Sequence, residues 1–225
     1  MWRRADALGG SEVGPGALLL SPCSNQLSGV LAAVNETNGQ LLDALAHCAQ
    51  SKLPFPLSDS LRAPFAALPS SHRRRAGQCG VVLADVGFSD PQRWQRLVTR
   101  GEHESITAEG DWLPTEDAIA LASSLLMVAW HIVRVRPSLA GILLGMSESV
   151  VEMYRKLGVA ELAQIARRRP QWVRPRWSDR PDVWQSVLGT AEQPAADDSA
   201  SIVLRCLKVS AMGSSRLLLS LDTVD

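Results

Sequence analysis

The run from Ile119 to Val135 constrains this chain more than any other feature, because Ser123, Ser124, His131 and Arg134 are its only polar residues. A bilayer-spanning helix needs ~20 predominantly apolar residues, and this run is both shorter and interrupted. It predicts a buried helix, capped by Thr115 and stopped by Arg136-Pro137, since a residue before proline is pushed out of helical geometry. A helix apolar nearly all round belongs at the centre of a bundle or at a subunit interface. His131, on this helix, is expected to be a satisfied core histidine.

The flanking sequence reads as further helices. Residues 1–24 carry Gly9-Gly10, Gly14-Pro15-Gly16 and Ser21-Pro22 and are expected to be a flexible N-terminus. From Asn25 to about Lys52, Leu27, Val30, Leu31, Val34, Leu41, Leu42 and Leu45 recur at helical spacing. A shorter helix capped by Ser58 carries Leu61, Phe65 and Leu68, and the run His72-Arg73-Arg74-Arg75 reads as a solvated helix end. Cys79 to Phe88 is expected as a short strand or a buried extended connector, and Asp90-Pro91 opens a helix that turns Trp94 and Leu97 inward. Residues 100–111 read as a linker. Beyond the central run, helices are expected over Ser138–Leu144, Glu148–Lys156, Val159–Arg169 and Pro181–Leu188, with Trp172 to Trp177 extended and a last helix over Ile202–Met212. The sequence thus predicts an all-α multi-helix bundle with a helix-turn-helix-like segment and at most one short extended element. Its expected divisions are a helical region over 25–111, a second over 112–190, and a C-terminal helix and tail over 191–225.

Function classes narrow by exclusion. A 46% hydrophobic, 20% charged composition over 225 residues suits a globular core, and a net charge of zero means that nucleic-acid binding needs a local basic patch. Cys23, Cys48, Cys79 and Cys206 form no CxxC pair, so no metal site, cofactor or redox motif is suggested and reduced thiols in the cytoplasm are expected. The short apolar run after Pro15 argues against a signal peptide, and no membrane association is expected. His47 beside Cys48 lacks a visible third partner, Asp85, Asp90, Glu116 and Asp117 form no spaced carboxylate motif, and there is no phosphate loop or nucleophile elbow. These readings favour a binding protein over an enzyme.

Two constellations point to binding. Ser138 to Tyr154 fits a helix-turn-helix: Gly141 would let two helices cross closely, Gly145 supplies the turn, Ser147 caps the second helix, and Val151 with Tyr154 packs it back. Glu148 and Glu152 on the second helix would be repelled by phosphates. Just downstream, Arg155, Lys156, Arg167, Arg168, Arg169, Arg174, Arg176 and Arg180 are opposed only by Glu161 and Asp179, with Trp172 and Trp177 interleaved. An extended segment would set Trp172, Arg174 and Arg176 on one side, and arginine forks suit phosphate oxygens. The expected DNA- or partner-binding set is Arg155, Lys156, Arg167, Arg168, Arg169, Arg174, Arg176 and Trp177.

The stretch Ile119 to Leu188 resembles FlhD, the helical subunit of a proteobacterial flagellar transcriptional activator. The likeness lies in Leu121-Ala122-Ser123-Ser124-Leu125-Leu126, then Leu144-Gly145-Met146-Ser147-Glu148, then the helix Gly158 to Ala166, and finally Val173-Arg174-Pro175-Arg176-Trp177-Ser178-Asp179. It covers about a third of the chain, and roughly a hundred residues precede it. The resemblance implies an all-helical homodimer that joins a second regulator subunit on DNA, with the central helix at the dimer interface through Leu121, Leu125, Val128 and Ile132. The other reading kept open is a helical protein-interaction adaptor, such as a secretion or assembly accessory factor, with an exposed apolar groove between its N-terminal helices.

Overall fold

The computed structural model describes residues 22–100 and 112–189. The first 21 residues, residues 101–111 of the linker expected over 100–111, and the segment from 190 on, with the helix expected at Ile202–Met212, lie outside the described residues. The fold is all-α with one small two-stranded sheet among the described residues.

Helix α5 (Thr115–Val135) is the hub, with α1 (Pro22–Gln50), α6 (Pro137–Leu144), α7 (Glu148–Lys156) and α8 (Val159–Arg168) packed on it. Pro114 occupies its N-cap position with no side-chain cap, so Thr115 is the first helical residue and not the cap. At 21 residues, α5 is long and apolar enough to cross a membrane, yet half of its most apolar window is buried within the chain. The four residues expected at a dimer seam, Leu121, Leu125, Val128 and Ile132, are 4%, 0%, 7% and 0% exposed and belong to the core of a single chain. That corrects their assignment, because a side chain already surrounded by its own chain has no area left for another. The opposite stripe of α5 faces outward and carries Glu116, Ala120, Met127, His131 and Arg134. His131 is therefore exposed and not a core histidine. The stripe is hard to see in the sequence because alanine, serine and methionine fill its middle.

The remaining helices follow their sequence signals closely. Asp90 caps α4 (Pro91–Arg100) by accepting the Arg93 N–H at 3.0 Å, and Trp94 is fully buried. The helix expected after Ser58 divides into a 3-10 turn (Asp59–Leu61) and α2 (Arg62–Ala67), and the basic run lies within α3 (Ser70–Gly77). A 3-10 turn (Pro170–Trp172) takes the first residue of the stretch expected to be extended, and α9 is Pro181–Gly189. One apolar cluster runs from Val30 to Val187, so the two expected helical regions share a core.

The extended connector joins these helices. Residues 79–88 are almost wholly buried, with Gly80 and Gly87 at positive φ, and their strand β1 (Ala84–Asp85) pairs antiparallel with β2 (Arg174–Pro175). A buried non-helical backbone needs a partner for each N–H and C=O. Asn38, 1% exposed on α1, supplies several. Its amide donates to the carbonyls of Gly77 and Val81 at 2.9 and 2.8 Å, and its oxygen accepts the Leu83 N–H at 2.8 Å. Around the same connector Trp94 packs against Phe88, Tyr154 and Trp172 with ring centroids 5.2–6.1 Å apart.

Asn38→Ala removes the Asn38 hydrogen bonds to the Gly77 carbonyl and the Leu83 N–H and leaves the Val81 carbonyl with the Cys79 thiol alone, each lost partner costing ~1–3 kcal/mol. Urea denaturation is expected to show a loss of about 3–5 kcal/mol with an unchanged m-value, far above the cost of a surface asparagine. A loss below about 1 kcal/mol would show that Asn38 does not anchor the connector.

Candidate functional site

The helix-turn-helix-like segment is α6, Gly145 and α7. Gly145 adopts the left-handed conformation, φ 68° and ψ 24°. Its N–H reaches the Gly141 carbonyl at 3.0 Å and the Met146 N–H reaches Ala140 at 3.3 Å, the pairing that closes a helix on a glycine. A Cβ at Gly145 would sit 2.7 Å from Nη2 of Arg176. Gly141 meets no such limit, since its Cβ would find only the Met146 carbonyl at 3.7 Å; the close crossing expected of it is absent. Ser147 occupies the N-cap position of α7 without a side-chain cap, its hydroxyl lying 3.4 Å from that of Ser149. Val151 and Tyr154 do pack back: Tyr154 is fully buried and its hydroxyl donates to the Leu126 carbonyl at 3.1 Å. Burial pushes that hydroxyl well above its usual pKa, so it stays protonated. The outward face of α7 presents Glu148, Ser149, Glu152, Arg155 and Lys156.

The expected basic set splits by burial. Arg155, Lys156, Arg167, Arg168 and Arg174 are exposed. Arg155 is held by Glu152 at 3.1 Å, an exposed pair worth little in water. The one carboxylate of α8, Glu161, accepts the Gly158 N–H at 2.7 Å and caps the helix. Lys156 and Arg155 end α7, just before α8 begins; Arg167 and Arg168 end α8, about 15 Å further along its ten residues.

Two arginines and the tryptophan depart from the expectation. Arg169 is 9% exposed and lies 5.9 Å from the Trp172 ring. The guanidinium of Arg176 is enclosed, donating to the carbonyls of Val82 and Leu143 at 2.9 and 3.0 Å. Burial lowers its pKa to about 10, opposed by the nearby Asp85 carboxylate, so it remains a cation at neutral pH. Trp177 is half-buried, with the Arg176 guanidinium 4.3 Å from its ring, and it holds φ at 51°, a conformation a bulky residue rarely adopts. Trp172, Arg174 and Arg176 do not share a side. Only Arg174 and Pro175 are in a strand, and the turns on either side break its alternation.

Two clefts lie among the described residues. One of about 370 Å³ lies between α1 and α5 and is lined by Gln40, Asp43, Ala44, His47, Leu113, Asp117, Ala120 and Leu121. His47 is exposed there, whereas Cys48 is buried with its thiol donating to the Trp112 carbonyl at 3.0 Å, so the two form no catalytic pair. Burial raises the Cys48 pKa, the wrong direction for a nucleophile. Of His47, His131 and Asp85, only His47 lines this cleft. The other, about 380 Å³, runs between α2, α3 and α9 past Leu61, Pro64, Leu68, His72 and Leu188. Among the described residues no three His, Cys, Asp or Glu side chains could hold a metal ion.

No family model, curated protein or solved structure matches this chain. Sequence reasoning missed the inward turn of Arg176, although its neighbour Pro175, which cannot donate to a central strand, already marked a short edge. It also missed the α1–α5 cleft, for which the spacing of four between Asp43 and His47 was the available signal.

Gly145→Ala is expected to cost about 2–4 kcal/mol, from left-handed strain and the clash with Arg176, whereas Gly141→Ala is expected to be neutral or to stabilise by up to ~1 kcal/mol. Thermal melts of the two variants side by side check this; equal effects would mean that the turn is not pinned by Arg176.

Proposed function

We propose that this chain is a non-catalytic regulator subunit, FlhD-like in its use of a helical bundle, that holds DNA through its phosphates and works with a partner subunit. The observation that carries this reading is the exposed cation set of α7, α8 and β2, with Lys156, Arg167, Arg168 and Arg174 in one short stretch of a chain whose net charge is zero. Exposed cations of this kind supply salt-dependent, sequence-independent affinity. Glu148 and Glu152 on the exposed face of α7 argue against that helix entering a groove, since they would meet the phosphates first. These cations therefore position DNA, and sequence discrimination falls to the partner.

The test is fluorescence anisotropy on a mixed-sequence duplex. With about four phosphate contacts, affinity should fall roughly a hundredfold between about 50 and 200 mM salt. The triple variant Arg167→Ala/Arg168→Ala/Arg174→Ala should flatten the salt dependence to about one contact, while Glu148→Gln/Glu152→Gln should bind no more weakly than the parent. Absence of binding at low salt would overturn the reading.

A second reading, a protein-interaction adaptor, draws on the cleft between α2, α3 and α9, whose walls are mainly Leu61, Pro64, Leu68 and Leu188. It would take first place if DNA binding fails.

A further inference from the structure

The cleft of about 380 Å³ between α2, α3 and α9 is lined by Leu61, Pro64, Leu68 and Leu188, with Ser60 and Gln185 beside them. Leu61 is buried, but Pro64 is exposed and Leu68 and Leu188 are half-buried, so apolar area here still meets water. Gly189, the last residue of α9, also lines the cleft, so the chain passes into residues 190–225 from its lip. His72 lines it from α3, and Arg75, three residues on, lies on the same side of that helix. The Arg75 Nε is buried, and among the described residues no group accepts its hydrogen. A buried donor on a cation is costly to leave without an acceptor. Arg73 differs, since Asp43 holds it.

The sequence after Gly189 complements both features. Residues 190–204 carry Glu192, Asp197 and Asp198 and no basic residue. The helix expected over Ile202–Met212 sets Val203, Cys206, Leu207 and Ser210 on one side at spacings of three and four, and Arg205 and Lys208 on the other. Amphipathic helices enter apolar grooves through anchors at this spacing. We infer that the chain's own segment 190–211 occupies the cleft. Val203, Cys206 and Leu207 point into it, and the acidic stretch ahead of them crosses α3, where a carboxylate of Asp197 or Asp198 accepts from Arg75. Residues 190–201 reach up to ~40 Å when extended, enough to leave Gly189, pass α3 and return. A short tether holds the helix at about millimolar effective concentration, so a modest contact area keeps it seated. An outside helix that uses this cleft must displace the segment first, which makes the segment a competitor for the surface on which the adaptor reading draws. The inference stands apart from the DNA contacts of α7, α8 and β2.

Disulfide trapping tests the placement, with Cys206 used as it stands. In the 225-residue chain carrying Cys23→Ser, Ser60→Cys or Gln185→Cys puts a thiol at the cleft, and Ser149→Cys puts one on the outward face of α7. All three positions are exposed, so the core is untouched, and Cys48 and Cys79 are buried. Under mild oxidation Cys206 should join either cleft thiol, within one chain, about tenfold faster than it joins the α7 thiol. Val203→Asp/Leu207→Asp should remove that preference. Hydrogen exchange gives a second readout on chains without added cysteines. Amides of residues 202–211 should exchange about tenfold or more slowly in the parent than in Val203→Asp/Leu207→Asp or in the cleft variant Leu188→Glu. Asp197→Arg/Asp198→Arg should speed their exchange as well, because it sets cations against Arg75. Equal trapping at all three positions would overturn the proposal. So would amides that exchange as fast in the parent as in Val203→Asp/Leu207→Asp. Cross-links formed only between chains would overturn it too, by placing a second copy's segment in the cleft.

Discussion

Everything else in this structure depends on keeping an extended backbone inside a helical protein. Helices satisfy their own peptide groups; residues 79–88 do not, and they are buried on both sides. Asn38 provides for one side of this connector from α1, and Arg176 for the other from the C-terminal segment, where the Arg176 N–H also meets the Leu83 carbonyl at 2.7 Å. Both are polar groups enclosed at a cost, and both offset that cost by bonding to more than one backbone group each. The result ties the first helix to the last third of the chain through contacts that are distant in sequence.

The surface inherits its layout from that arrangement. Arg176 occupies the space over Gly145, so the turn between α6 and α7 is fixed against the connector, and the Ser147 N–H on the Phe88 carbonyl at 3.2 Å adds a second tie. Tyr154 then fastens α7 to α5. The cations that remain outside are those at the ends of α7 and α8 and on the edge strand. Basic residues in one sequence stretch thus serve opposite purposes, some as internal donors and some as surface charge.

Element type was legible wherever local chemistry was strong. Proline and aspartate marked the start of α4, Gly145 marked the end of α6, and Ser147 marked the start of α7. The connector was legible too, as a short apolar run between Gly80 and Gly87. What failed were the judgements of facing. Leu121, Leu125, Val128 and Ile132 read equally well as core or seam, because periodicity names a face without naming its neighbour. His131 sat in an apolar run and proved exposed. Trp172, Arg174 and Arg176 seemed to alternate, but a 3-10 turn and a left-handed Trp177 broke the period.

The sequence by itself determined an all-α chain, the order and extent of most helices, and the clustering of cations after α7, because helix propensity, caps and composition act over a few residues. Only the tertiary structure decided which cations face water and which face of α5 is left outward. It also decided that Asn38 and Arg176 are internal anchors. Those outcomes rest on which carbonyls and side chains meet across tens of residues, and no local pattern encodes that meeting.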